Sequence, residues 1–197
     1  MIYFLTVLLT CFNTSYASTL ETNVPGCLLE DEVELANLIN DYRTEHDLPP
    51  IPLSKSLTVV AKTHAADLFK EKPFDEKSCN PHSWSDSGDW KACCYGYNTH
   101  NGPCMWEKPR EITDYEGDGF EIVMFSENSQ FPDKTVSAKA AFESWIKSVN
   151  HNSVILNKGI WEKVEWNAMG VGIYKGFAAV WFGRENDPAG LAEACEN

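Results

Sequence analysis

Met169-Gly170-Val171-Gly172-Ile173-Tyr174-Lys175-Gly176-Phe177-Ala178-Ala179-Val180-Trp181-Phe182-Gly183 is the stretch that decides the architecture of this chain. Two short runs of apolar, β-branched and aromatic residues flank Lys175-Gly176, which predicts a β-hairpin from Met169 to Phe182. Upstream, Thr135 to Val149 places Ala138, Ala141, Phe142, Trp145, Ile146 and Val149 at three- and four-residue spacing, a helix with one apolar face. Before it, Phe120 to Phe125 reads as a strand, followed by a turn around Ser126 to Asp133. Leu28 to His46 is a helix with its stripe at Leu35, Leu38, Ile39, Tyr42 and His46, ended by Leu48-Pro49-Pro50-Ile51-Pro52. Ser54 caps a second helix running to about Lys70, with Leu57, Val60, Ala61, His64 and Leu68 facing the core. Helices on both sides of a strand, with antiparallel strands at the end, predict an α+β fold of layered α-β-α type and not a doubly wound parallel sheet.

Between Glu71 and Gly119 periodicity is lost, and the chain is rich in Cys, Gly, Pro, Trp, Asn and Asp. So long a loop inside a domain needs a function or crosslinks. Cysteines supply the crosslinks. Residues 1–17, MIYFLTVLLTCFNTSYA, are apolar, uncharged and end in Ser15-Tyr16-Ala17, the pattern of a secretory signal peptide. The run is short for a membrane span, and Leu8-Leu9-Thr10-Cys11 is a poor lipoprotein box. Removal of Cys11 with the signal leaves Cys27, Cys79, Cys93, Cys94, Cys104 and Cys195, an even set in a chain bound for an oxidising compartment. Neighbouring Cys93 and Cys94 are badly placed to join each other. The preferred scheme is two local staples within 79–104 and a Cys27–Cys195 clasp. A zinc cluster is the weaker alternative, because no CxxC pair occurs.

Residues 18–197 then form one expected domain, with the Cys-rich loop at 79–104. The chain's formal net charge of −13 argues against nucleic acid and anionic membrane as partners. No second long apolar run follows the leader, so no membrane span is expected.

Chemistry is expected at His82 and His151, which sit beside turn formers at loop or helix ends, and at nearby carboxylates. Glu121 opens the predicted strand and Glu127 follows it. Two imidazoles with a carboxylate suit a divalent cation such as zinc, although no HExxH spacing fixes His82 and His151 as a pair. His64, on the apolar stripe, reads as a packed, hydrogen-bonded core residue. His46 reads as a helix-end residue, and His100 as a solvated turn residue. Adjacency of His82 and Ser83 makes no catalytic pair, and no Gly-x-Ser-x-Gly elbow is present. The even cysteine count leaves no thiol for nucleophilic catalysis.

Several segments in order carry a family likeness: Asn37-Leu38-Ile39-Asn40-Asp41-Tyr42-Arg43, then Leu48-Pro49-Pro50-Ile51-Pro52-Leu53, His82-Ser83, Trp145, His151-Asn152-Ser153-Val154-Ile155 and Met169-Gly170-Val171-Gly172. From about Glu32 to Gly183 the chain resembles the CAP superfamily, the SCP-domain group of cysteine-rich secretory proteins, insect venom allergens and plant pathogenesis-related proteins. The resemblance implies a three-layer α-β-α sandwich, carrying here a disulfide-stapled loop insert, with a shallow cleft lined by two histidines and two glutamates. His82 and His151 match the two histidines. The first glutamate of the family sits in Gly-Glu-Asn. Here Gly119-Phe120-Glu121 and Ser126-Glu127-Asn128 each keep part of that triplet, and Glu121 fits slightly better. Where the second glutamate falls, three residues after a tryptophan, this chain has Ser148. The implied function is a secreted, extracellular binding module taking a lipid or sterol, a glycan or a protein, with a possible divalent metal. A metal-assisted hydrolase using His82 and His151, with Glu121 or Glu127 as general base, is the alternative from another class. A disulfide-rich effector without a cleft function is the third.

Overall fold

Alternation along the strands sorts this chain into layers. The computed structural model describes residues 26–75, 78–96, 102–126 and 135–196. The signal segment, Cys11, Glu127, His100 and the turn from 127 to 133 lie outside them. In chain order the elements are α1 (Glu30–Glu45), α2 (Lys55–Glu71), α3 (Gly102–Trp106), α4 (Lys108–Ile112), β1 (Gly119–Phe125), α5 (Ala138–Lys147), α6 (Val149–Ile155), β2 (Ala168–Tyr174) and β3 (Phe177–Gly183).

The three strands form one antiparallel sheet in the order β1-β3-β2. Side chains alternate across it. Phe120, Ile122, Val171, Ile173, Ala178, Val180 and Phe182 pack with α1, α5 and α6 in one core. Val123, Ala168, Ala179 and Trp181 join α2 and the stapled loop in the other. The result is the expected α+β, three-layer α-β-α sandwich. In the β2–α2 interface, a Cβ on Gly170 would overlap the Leu57 carbonyl carbon, and one on Gly172 the Ala61 carbonyl carbon. Only glycine lets strand and helix backbones approach this closely.

Helix ends are held by buried polar groups. Ser54 Oγ accepts from Leu57 N–H at 2.9 Å, the expected cap of α2. Asp187 accepts from Ser54 Oγ at 2.6 Å and from the Ser56 backbone at 2.7 Å. Burial acts to raise the Asp187 pKa, but these hydrogen bonds hold it below the ordinary carboxylate value. Arg43, 2 % exposed, ends α1 by donating to Pro49 O at 3.0 Å, Ile155 O at 2.5 Å and Asn157 Oδ1 at 2.7 Å. It is thereby tied to the end of α6. Burial lowers the guanidinium pKa to about 10.

Two expectations need correction. The helix predicted from Thr135 to Val149 is α5 and stops at Lys147, because Ser148 adopts extended backbone before α6 begins at Val149. Val149, assigned to the apolar face, is 81 % exposed. The segment from Glu71 to Gly119, read as loop, contains the single-turn helices α3 and α4. These are too short to show a period.

Three disulfides fasten the fold: Cys27–Cys195, Cys79–Cys94 and Cys93–Cys104. The first clasps the chain ends, where Leu28 N–H donates to Glu193 O at 2.9 Å and Cys195 N–H to Leu28 O at 2.9 Å. The other two are the local staples, and adjacent Cys93 and Cys94 take different partners.

Candidate functional site

Strand β1 lies at a sheet edge, so residues on both of its faces reach a common opening. Glu121 pairs with Trp181 across the sheet and points to the α2 side. There its side chain is fully buried, with its two oxygens against two imidazoles. Oε1 takes His64 Nδ1, and Oε2 takes His82 Nδ1 at 2.7 Å. His64 comes from α2 and is fully buried. Its Nε2 donates to Ser83 O at 3.0 Å, and its ring stacks on Trp84 with centroids 4.2 Å apart and planes 6° from parallel.

His82 owes its place to the stapled loop. Its backbone N–H donates to Asn80 Oδ1 at 2.9 Å, and Asn80 N–H donates to Tyr95 O at 2.7 Å. Ser83 Oγ exchanges hydrogen bonds with the Tyr95 backbone, accepting from its N–H at 2.9 Å and donating to its carbonyl at 3.2 Å. Trp84 and Cys93 form a two-bond bridge at 2.8 and 3.0 Å. The Cys79–Cys94 and Cys93–Cys104 bonds lock both sides of this structure. Tyr95 meets the His82 ring edge-on at 5.5 Å.

His151 reaches the opening from the other layer, on α6. His82, Glu121 and His151 line one cleft of about 770 Å3, together with Asn80, Tyr95, Lys158 and Trp161. Its volume lies in the range of ordinary ligand sites. His151 Nδ1 is buried without a hydrogen-bond partner among the described residues. Burial, aided by the neighbouring His82, lowers the His151 pKa against the opposing effect of Glu121, so this ring is neutral at pH 7. For Glu121, burial acts to raise the pKa. The charge and hydrogen bond of His64, with those of His82, outweigh it and hold the group below the ordinary carboxylate value.

Of the residues singled out from sequence, His82, Glu121 and His151 meet in this cleft, while Glu127 lies outside the described residues. Glu143, a further carboxylate on α5, is half-buried and faces Lys139 and Lys147. His46 Nδ1 lies 2.8 Å from Tyr42 O at the end of α1. His64 is packed and hydrogen-bonded as expected, yet its partner is the cleft carboxylate, which the reading missed. The available signal was a titratable ring on an apolar stripe, which needs a polar partner when buried.

The metal expectation meets a constraint. Among the described residues no three His, Cys, Asp or Glu side chains converge as ligands. Both Glu121 oxygens are engaged by imidazole nitrogens, which leaves His82 and His151 as the donors among the described cleft residues. Structural zinc takes four protein ligands and catalytic zinc three. The described residues do not make such a site, and Glu127 lies outside them.

A sheet sandwiched between helices, three disulfides and a His–Glu–His cleft at a sheet edge define a class of small disulfide-bonded α-β-α domains. The family model described as CAP, the cysteine-rich secretory protein family, matches residues 36–178, and the chain belongs to that family. Among solved structures, the chain is similar to an extracellular protein containing an SCP domain from Bacillus anthracis, at 18 % identity and a TM-score of 0.54, over 79 % of this chain and 40 % of that one. It is also similar to a cysteine-rich secretory protein from Staphylococcus aureus, at 15 % identity and a TM-score of 0.47, over 79 % of this chain and 39 % of that one. This chain therefore spans about two fifths of each of these proteins. Comparison with curated proteins gave no match. The disulfides agree with an oxidising compartment. No helix among the described residues is long and apolar enough to cross a membrane.

Proposed function

We propose that this chain is an exported binding module whose cleft, lined by His82, Glu121 and His151, takes a polar segment of a glycan or of an exposed protein. The observation that carries this reading is the double engagement of Glu121. Its oxygens both accept from imidazoles, and its pKa is held low, so it is a poor proton acceptor for a hydrolytic water. A hydrolase using Glu121 as general base loses its base. The cleft instead offers groups that bind: the unpartnered Nδ1 of His151, the amides of Asn80 and Asn150, Lys158 at the rim and the Trp161 indole. A buried polar atom without a partner favours a ligand or water that supplies one. Such a lining suits a hydrogen-bonding ligand better than a sterol, which requires an enclosed apolar cavity. Residues 1–17 act as the export signal in this reading, and Asn80, His82, Tyr95 and Gly96 of the stapled segment form one wall of the cleft.

The test offers the secreted protein to immobilised glycans and to peptide segments, beside a His82→Ala, His151→Ala double variant. Saturable binding that falls at least tenfold in the double variant is expected. Equal binding by both proteins would remove the cleft from the function. A zinc titration run on the same pair addresses the cation reading: the two imidazoles alone should give no tight, stoichiometric binding, and tight binding abolished in the double variant would reinstate a metal.

A further inference from the structure

We propose that His64 is a positioning residue of the cleft: a buried, doubly protonated imidazolium that fixes Glu121 and, through it, holds His82 with its proton on Nδ1. The proposal deepens the cleft reading and rests on it only for what His82 does to a ligand.

The argument begins with the groups around the His64 ring. Nε2 faces the Ser83 carbonyl oxygen at 3.0 Å, and a carbonyl only accepts, so Nε2 carries a proton. Nδ1 faces Glu121 Oε1. An ionised carboxylate also only accepts, so Nδ1 carries the second proton. Glu121 is the ionised partner, since an imidazole nitrogen stands at each of its two oxygens and together the two rings hold its pKa below the ordinary carboxylate value against its burial. A ring with acceptors at both nitrogens is an imidazolium. It forms a buried ion pair with Glu121, in which neither charge is left alone.

The surroundings suit a cation. The Trp84 indole lies flat on the ring at 4.2 Å, the geometry in which an aromatic face attracts positive charge. Trp181 presents an edge at 6.2 Å. The ring is completely buried, so water does not reach either nitrogen. His64 is also built in rigidly, midway along α2 and beneath the bridge between Trp84 and Cys93.

The consequence is felt at His82. With Oε1 bound to His64, the carboxylate is held so that Oε2 stands 2.7 Å from His82 Nδ1 and accepts from it. That fixes the His82 proton on Nδ1 and leaves Nε2 as the bare, accepting nitrogen of a partly exposed ring at the cleft. Ligand hydroxyl and amide groups would then meet an acceptor at this position. Without His64, Oε1 has no donor, the carboxylate is free to turn, and either tautomer of His82 becomes accessible.

Nitrogen-15 NMR of the imidazole rings reads this directly, because protonated and bare ring nitrogens resonate apart. In the native protein, His64 should show both nitrogens protonated, and His82 should show a protonated Nδ1 with a bare Nε2. In His64→Phe, the His82 signals should move to those of a tautomer mixture. His64→Asn, which returns an N–H donor close to the place of Nδ1, should restore the single His82 tautomer. A His64 ring with one bare nitrogen in the native protein would overturn the proposal, and so would a His82 tautomer that is unchanged in His64→Phe. If His64→Phe does not fold, the native spectrum alone decides. Loss of ligand binding in His82→Ala with an unchanged spectrum of His64 would keep the two readings distinguishable.

Discussion

Tyr115 and Glu121 contribute stability at opposite ends of the pH range. The Tyr115 hydroxyl donates to Glu185 O at 2.7 Å and accepts from Glu185 N–H at 3.0 Å. Burial, and secondarily the nearby Glu185 and Asp187 charges, raise its pKa to about 12 despite the backbone hydrogen bond. A group whose folded pKa is raised contributes stability that is complete below its unfolded value and is lost as pH rises through the folded one. The window runs from about 10 to about 12. Tyr115→Phe should therefore flatten the alkaline arm of a denaturation profile and cost about 1 kcal/mol at neutral pH through the lost hydrogen bond. An alkaline arm as steep as the parent's would count against it. Glu121 works in the other direction. Its folded pKa is lowered, so its contribution is complete above the ordinary carboxylate range and disappears as pH falls through the folded value. Glu121→Gln leaves His64 without its counter-charge and should cost about 3 kcal/mol near pH 7, with much less further loss on acidification. Urea midpoints taken between neutral and acid pH measure both effects.

Among the elements, the tightest joint is between β2 and α2, and it is made by the absence of side chains. Gly170 lies against the Leu57 carbonyl carbon and the Thr58 nitrogen, so Gly170→Ala must push two backbones apart. Overpacking of this kind costs about 3 kcal/mol, and α2 carries His64, so the displacement should also disturb the cleft. Thermal unfolding of Gly170→Ala against the parent checks it. A melting temperature within a degree of the parent would show that the joint has slack. These joints also show what the sequence could and could not carry. Alternation in β2 and β3 and the stripe of α2 are local patterns, and they located the strands, the hairpin and the Ser54 cap. Ser148 was hidden because the apolar spacing runs on past it to Val149, while the backbone there is extended. In α3 and α4 a single turn each, with Pro103 and Pro109 near their starts, left no period to find. Likewise the site was legible only in part. His82 and His151 stood out by local context, but the link between His64 and Glu121 joins positions 57 residues apart, which no spacing rule reports.

On the scale of the whole molecule, the disulfides divide between holding the chain together and holding the cleft open. Cys27–Cys195 encloses a sequence separation of 168 residues, so in the unfolded chain it removes more freedom than either local staple. It lies where Leu28 bridges Ala194, and none of these residues lines the cleft. Cys93–Cys104 spans only 11 residues but anchors the segment that bridges to Trp84. Trp84 in turn stacks on His64, and His82 is two residues before it. Removing the clasp by Cys27→Ala, Cys195→Ala should therefore cost about 2–5 kcal/mol, yet leave the His82 tautomer and ligand affinity unchanged at a temperature where the protein stays folded. The Cys93→Ala, Cys104→Ala pair should show the reverse balance: a smaller loss of stability, because the closed loop is short, and a larger loss of affinity, because the Trp84 wall and the His82 turn are no longer fixed. Calorimetry and ligand titration on the two double variants separate these outcomes. Equal affinity in both would mean that the stapled loop stabilises the fold without shaping the cleft.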